Sequence, residues 1–288
     1  MAETDPTFDF WKMHGCGNDF VVAAPERLDA DWAAVARAIC DRHTGVGADG
    51  LILVQPSQTA DRRMSIYNAD GSNGQMCGNG IRCFVKFVHD RGIVSAEGGL
   101  SVETDIGVLD AQPQFDAAGR VTRVRVAMGA PAFAPADLGV QLEQPSPVLD
   151  LPLAAADEEV SLTLVSMGNP HAVHFIDGAP GDYDLATVGP AVERHPLFSQ
   201  RTNFEVVRVL DRSTLEMRVW ERGVGETQAC GSGACAVAVA SRLHGRIDDT
   251  VEVRLPGGVL TIEWDGDGVV YLEGPVAFVF ESRWEGAA

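Results

Sequence analysis

The strongest constraint on what this chain can fold into is that it is written twice. Residues Tyr67–Gly80 lie over Trp220–Gly233 without a gap, at an offset of 153 residues, so that Gln75 meets Gln228 and the Cys-Gly-x-Gly at Cys77 meets the one at Cys230. The offset persists outward. Residues Gly50–Val54 fall on Asn203–Val207 at 153, Arg42-His43 on Arg194-His195 at 152, and Gly107–Leu109 on Gly258–Leu260 at 151. Nearly constant offsets along a whole half require two copies of one supersecondary plan with small insertions between them.

Apolar runs bounded by Gly, Asp and Asn predict strands at about 8–13, 51–55, 64–68, 100–104, 107–112 and 121–127. The second half repeats them at about 161–166, 172–176, 204–209, 214–220, 251–255, 258–264 and 269–273. From Gly78 to Arg91, Ile81, Phe84, Val85 and Val88 recur at helical spacing and Gly92 follows as a stop. The matching helix, Gly231 to His244, is rich in Ala and Val and ends at Gly245. Helices with so few polar faces belong inside. The expected fold is α/β (α+β): two pseudo-symmetric domains from an internal duplication, each a mostly antiparallel, barrel-like sheet wrapped around a central helix. We place the domains at 1–129 plus about 276–288, with a strand near Ala277–Ser282 returning, and at 130–275. A variable or disordered loop is expected from Gln144 to Asp157.

In each half a cysteine opens a buried helix and is followed by Gly-x-Gly. A helix start presents unpaired N–H groups and a positive dipole end, which together bind an anion and lower a thiol's pKa. Gly78, Gly80, Gly231 and Gly233 leave room for a carboxylate to reach those amides. Two such motifs facing each other across a crevice suit stereoinversion, in which a thiolate removes an α-proton and the opposite thiol returns one. Such a pair titrates as a unit, and the helix starts stabilise the α-carbanion through its carboxylate. Nothing in the sequence requires pyridoxal phosphate or a metal. The structural alternative for each motif is a tight strand-to-helix turn with a small buried residue. Repetition in register weighs against it. Cys40, Cys83 and Cys235 read as packing residues; Cys16 stays open between packing and function.

The formal charge of −19 disfavours nucleic acid and anionic membrane as partners. The N-terminus has no apolar signal region, and no run approaches the ~20 apolar residues of a membrane span. A cytoplasmic protein with reduced cysteines is therefore expected. The cysteines, at 16, 40, 77, 83, 230 and 235, lack the close CxxC spacing of structural zinc sites.

Along nearly its whole length the chain resembles diaminopimelate epimerases, through Lys12–Phe20 (KMHGCGNDF), Asn68–Gly71, Cys77–Gly80, Gly168–His171, Glu221–Gly223 and Cys230–Gly233. The resemblance implies two pseudo-symmetric α/β domains. It implies cofactor-free interconversion of LL- and meso-2,6-diaminopimelate in lysine and peptidoglycan synthesis, and a homodimer. By position it implies Cys77 and Cys230 as bases, with Gly78, Asn79, Gly231 and Ser232 donating to the carboxylate at the reacting centre. Asn18, Asn68, Asn169, Asn203, Glu221 and Arg222 would form the substrate shell, Arg222 gripping the distal carboxylate and Glu221 accepting from ammonium. His171 is a supporting candidate and His14 a weaker one. Where many relatives carry Gln, this chain has Gly50, so that contact is absent or made by water.

Three other readings remain open. One is a racemase of the same fold acting on proline, hydroxyproline or a non-amino-acid substrate. A Cys-dependent hydrolase or transferase would need a His beside one Cys and would leave the other unexplained. An anion-binding module without chemistry would keep its ligand after Cys77→Ala.

Overall fold

The computed structural model describes residues 6–74, 77–142 and 145–286, so the Gln75 match and the residue Gln144 lie outside the described residues. The chain divides into two compact units. One runs to Val126 and resumes at Gly274; the other is Ala127–Glu273.

The first unit contains β1 (Phe8–Gly15), β2 (Asn18–Ala23), α1 (Trp32–Cys40), β3 (Gly50–Gln55), β4 (Arg62–Asn68), β5 (Asn73–Gly74), α2 (Gly78–Asp90), β6 (Leu100–Thr104), β7 (Gly107–Phe115) and β8 (Val121–Ala127). The second contains β9 (Leu151–Ala155), β10 (Glu158–Ser166), β11 (Pro170–Phe175), a short 3-10 turn, α3 (Leu185–Glu193), β12 (Asn203–Asp211), β13 (Thr214–Glu221), β14 (Gly225–Glu226), α4 (Gly231–Leu243), β15 (Thr250–Leu255), β16 (Gly258–Glu263) and β17 (Tyr271–Pro275). Strand β18 (Ala277–Trp284) then returns to the first unit and pairs antiparallel with β1.

The strands of the two units follow one topology. In the first unit the order is β18-β1-β2-β3-β4-β6-β7-β8, antiparallel except for β2–β3 and β4–β6. In the second it is β9-β10-β11-β12-β13-β15-β16-β17, and the parallel pairs, β11–β12 and β13–β15, fall at the same places. Val276 N–H bonds to Thr122 O, which draws the two ends of the first sheet toward closure. A topological difference lies in the source of the outermost strand: β9 is a hairpin neighbour of β10, whereas β18 comes from far along the chain.

Within each unit the central helix is buried almost all round. On α2, Ile81, Phe84, Val85 and Val88 are inaccessible; on α4, Ala234, Cys235, Val237 and Val239 are. Burying each Val, Ile or Phe stabilises the unit by ~1.5–3 kcal/mol. Both helices stop the same way. Ile93 N–H reaches Val88 O and Arg246 N–H reaches Ser241 O, after Gly92 and Gly245 at φ +68° and +67°. The flanking helices are also capped alike: Asp31 accepts from Ala34 N–H and Asp184 from Thr187 N–H.

Two features differ from the sequence reading. Strand β2 was not expected, because Phe20–Ala23 is buried on both faces and shows no alternation. Its turn is the two residues Cys16 and Gly17, at φ +53° and +80°, between paired Gly15 and Asn18, as a type I′ hairpin requires. The expected disordered loop up to Asp157 is instead occupied by β9, whose Leu151, Leu153 and Ala155 alternate inward onto the second core. A five-residue alternation with Pro152 in it is too short and too interrupted to stand out in sequence.

Candidate active site

Cys77 stands directly before α2, and β14 leads through Thr227–Ala229 to Cys230 directly before α4; both cysteines are helix N-caps in extended backbone. The first intrahelical bonds are Ile81 N–H to Cys77 O and Ala234 N–H to Cys230 O. Each helix therefore opens with amides that have no carbonyl partner in their own turn.

In the first unit Cys77 Sγ lies 3.5 Å from Asn18 Oδ1, and Asn79 Nδ2 donates to the same oxygen at 3.1 Å. Asn18 Nδ2 is in turn held by Asp49 at 2.7 Å, which fixes its carbonyl toward the motif. Beneath them Arg82, wholly buried, donates to Asn79 Oδ1 at 2.7 Å, Gly78 O at 3.1 Å, Pro275 O at 3.0 Å and Cys16 Sγ at 3.7 Å. Burial lowers the pKa of Arg82 and raises that of the Cys16 thiol. The hydrogen-bonded group thus brings together Asn18, Cys77, Gly78 and Asn79. Asn68 is bonded elsewhere, to Ser72 Oγ, while its backbone pairs with Gly50. A Cβ on Gly50 would stand 2.8 Å from Tyr67 O, so this backbone would have to shift before any side chain could occupy the position.

In the second unit Gly233 N–H donates to Cys230 Sγ at 3.4 Å, and Ser232 Oγ lies 3.5 Å from the same sulfur. From Ser232 a chain of polar contacts runs to Asn169 Nδ2 at 3.5 Å, from Asn169 Oδ1 to His171 Nε2 at 3.1 Å, and from His171 Nδ1 to Glu205 Oε1 at 2.6 Å. Glu221 accepts from Thr227 Oγ1 and from the Cys230 thiol, and burial raises its pKa. Asn203 donates to Pro170 O at 2.8 Å and accepts from Arg222 N–H at 2.9 Å, so it joins the start of β11 to the turn after β13. The Arg222 guanidinium donates to Gln200 O at 3.1 Å.

One sequence expectation is overturned. A helix start should favour the thiolate, yet the Cys230 pKa stands well above the ordinary thiol value, first because the thiol is buried and then because the Glu221 and Glu205 carboxylates lie beside it. The hydrogen bonds from Ser232 and Gly233 oppose this but do not prevail. Cys40 and Cys83 are buried, and burial pushes both thiols up to about 12. His14 lies in β1 with its Nδ1 buried and unpartnered.

Sequence reasoning missed Arg82 and Glu205. Each left a signal: a charge inside a helix or strand whose other positions are buried, Arg82 in α2 and Glu205 within the Asn203–Val207 run of β12. Groups of three or more His, Cys, Asp or Glu placed to hold a metal are absent among the described residues.

The fold is shared with solved structures. A Bacillus anthracis phenazine biosynthesis protein of the PhzF family superposes with a TM-score of 0.71 at 17% identity, over 97% of this chain and 99% of that one. An Agrobacterium vitis hydroxyproline epimerase with bound trans-4-hydroxy-L-proline gives 0.70 at 15% identity, over 97% and 92%. Sequence comparison is more specific. The diaminopimelate epimerase family model matches residues 10–134 and 163–279. The diaminopimelate epimerase of Moorella thermoacetica is 50% identical over 274 residues, 94% of this chain and 97% of that protein. The chain belongs to the diaminopimelate epimerase family.

Proposed function

We propose that this protein interconverts LL- and meso-2,6-diaminopimelate by α-proton transfer between two cysteines, without pyridoxal phosphate or a metal, and so serves lysine and peptidoglycan precursor synthesis. The observation that carries the reading is the repeated helix start: each unit supplies one cysteine N-cap with small residues after it. The α-carboxylate is received by the opening amides of Gly78, Asn79, Gly231 and Ser232. One cysteine thiolate takes the α-proton; an S–H bond forms, the Cα–H bond breaks, and its electron pair spreads into the carboxylate, stabilised by the helix starts. The other cysteine thiol delivers its proton to the opposite face and is left as thiolate. The substrate's remaining polar groups fall to Asn18, Asn68, Asn169, Asn203 and Arg222, with His171 in support. Glu221 belongs to the same substrate shell, accepting from the substrate's ammonium, and its carboxylate also accepts from the Cys230 thiol.

In this reading the two units are the two duplicated epimerase-like domains, 1–129 with about 276–288, and 130–275. The enzyme works in the cytoplasm as a homodimer. Among the described residues no helix is long and apolar enough to cross a membrane. Strand β18 leaves Phe278, Val279 and Phe280 exposed, an apolar stripe suited to a second copy.

The test is to incubate reduced protein with LL-diaminopimelate in deuterium oxide with chelator and follow the meso isomer and α-deuterium together. Conversion with solvent deuterium, abolished by either Cys77→Ala or Cys230→Ala, is the expected result. No conversion by folded, reduced protein would sink the substrate assignment and turn the search to proline and other amino acids.

A further inference from the structure

The motif glycines reveal what lies under each helix start. A Cβ on Gly80 would meet Ile52 Cδ1 at 3.1 Å; a Cβ on Gly233, at the equivalent place, would meet Glu205 Oε1 at 2.9 Å. Ile52 and Glu205 are also equivalent at the repeat offset of 153. One copy of the duplication thus keeps an aliphatic side chain against its cysteine-bearing turn, and the other has a carboxylate there.

That carboxylate is costly to keep. Glu205 is fully buried, and its Oε2 has no hydrogen-bond partner. Its Oε1 is tied to the equally buried His171 at 2.6 Å. Asn169 gives Ser232 its amide and turns its carbonyl to His171 Nε2 at 3.1 Å, so the imidazole is gripped from both sides, with Nδ1 against Glu205. A buried acid with one orphaned oxygen would be better replaced by an apolar residue if packing alone were at stake. Ile52 in the first copy is such a replacement.

We propose that Glu205 is a positioning residue for the second cysteine: its buried carboxylate, held by His171 against the start of α4, keeps Cys230 protonated, so that the free enzyme rests with Cys230 as its acid. The proposal rests on the two-cysteine reading above. The titratable groups facing Cys230 are Glu221 from β13 and Glu205 from β12, with His171 of β11 behind them; α4 itself contributes Ser232 and the Gly233 amide. Burial disfavours a thiolate most, the Glu221 and then the Glu205 carboxylate add to it, and the hydroxyl and amide oppose it. The first motif has the opposite sign beneath it, the Arg82 guanidinium.

The experiment is iodoacetamide alkylation of the substrate-free protein across pH, with Cys77 and Cys230 resolved by peptide mass spectrometry, in wild type and Glu205→Gln. Gln keeps an oxygen for His171 and removes the charge. The wild-type Cys230 midpoint should lie above the ordinary cysteine value of about 8.5. In Glu205→Gln it should fall by about one pH unit, making alkylation near neutral pH ~10-fold faster, with the Cys77 midpoint unchanged. A purely structural role for Glu205 would alter melting temperature and leave the Cys230 midpoint in place, and that result overturns the proposal. Should Glu205→Gln fail to fold, the wild type still decides, since a Cys230 midpoint at or below the ordinary value overturns it alone. Neither readout uses substrate, so a wrong substrate leaves this inference standing. Retention of epimerase activity by Cys230→Ala would instead remove the two-cysteine reading without moving the midpoint.

Discussion

The two copies of one fold hold their cysteines in opposite electrostatic surroundings. Beneath Cys77 lies a buried guanidinium whose acceptors, two backbone carbonyls, an amide oxygen and a thiol, are uncharged. Around Cys230 lie two carboxylates. At the repeat offset Arg82 corresponds to Cys235 and Glu205 to Ile52, so each charge has a small or aliphatic counterpart in the other copy. Duplication preserved the backbone that forms the anion-binding turn. The charges beneath the turns diverged, and on the proposed two-cysteine reading that divergence separates an acid from a base in an otherwise symmetric pair.

The comparison can be broken most severely at the sulfurs. Removing either one should cut turnover by at least ~10³-fold, since general acid or base catalysis contributes about 10²–10⁴ and here both roles depend on the pair; steady-state kinetics of Cys77→Ala and Cys230→Ala check this, and unequal losses would show which role limits. Next come the buried charges. Arg82→Ala should cost about 3–5 kcal/mol in denaturant unfolding, because it strands several buried acceptors and opens a cavity. An effect under about 1 kcal/mol would show that water replaces the guanidinium.

Acid titration reaches the first unit through Asp19. Although burial alone would raise it, Asp19 is held at about 2 by its bonds to Arg42 and Lys12. Its folded pKa is below the unfolded value of ~3.9, so its contribution is present above about pH 4 and is lost as pH falls toward 2, on the order of 2 kcal/mol. Hydrogen exchange should show the first unit loosening in that window, and Asp19→Asn should flatten the acid limb of the stability curve. The smallest effect separates the two helix starts. Gly233→Ala should destabilise by about 1–3 kcal/mol because its Cβ presses on the fixed Glu205 carboxylate, whereas Gly80→Ala meets the aliphatic ends of Ile52 and Ile66 and should be near neutral in thermal melts.

The fold was readable because duplication doubles each signal. Helix α2 could be placed by its glycine stop, and α4 confirmed it through the same stop. Strand β2 was hidden because full burial erases alternation, and β9 because a proline breaks a run already short. The cysteines were legible from the repeated helix starts, whereas the asparagines came only with the family resemblance: Asn18, Asn68 and Asn203 stand at the ends of strands and Asn79 in the first turn of α2, with no local pattern to mark them. Arg82 and Glu205 were passed over for a physical reason. Inside apolar elements a charge is conspicuous only if every neighbouring position is known to be buried, and that knowledge comes from the sheet around the helix. The direction of the Cys230 shift was likewise beyond local sequence, because its causes lie on β12 and β13 as well as on the helix it caps.

The return of β18 has a consequence for how the protein is made. Its pairing with β1 joins residues as far apart as Trp11 and Glu281, 270 positions along the chain. As the chain emerges from the ribosome, β1 exposes one row of unpaired backbone groups until β18 has been synthesised, whereas the second unit already has β9 next to β10. The half that is translated first is therefore the half completed last. It spends the whole of translation with an open strand edge, the kind of surface that chaperones and aggregates both recognise.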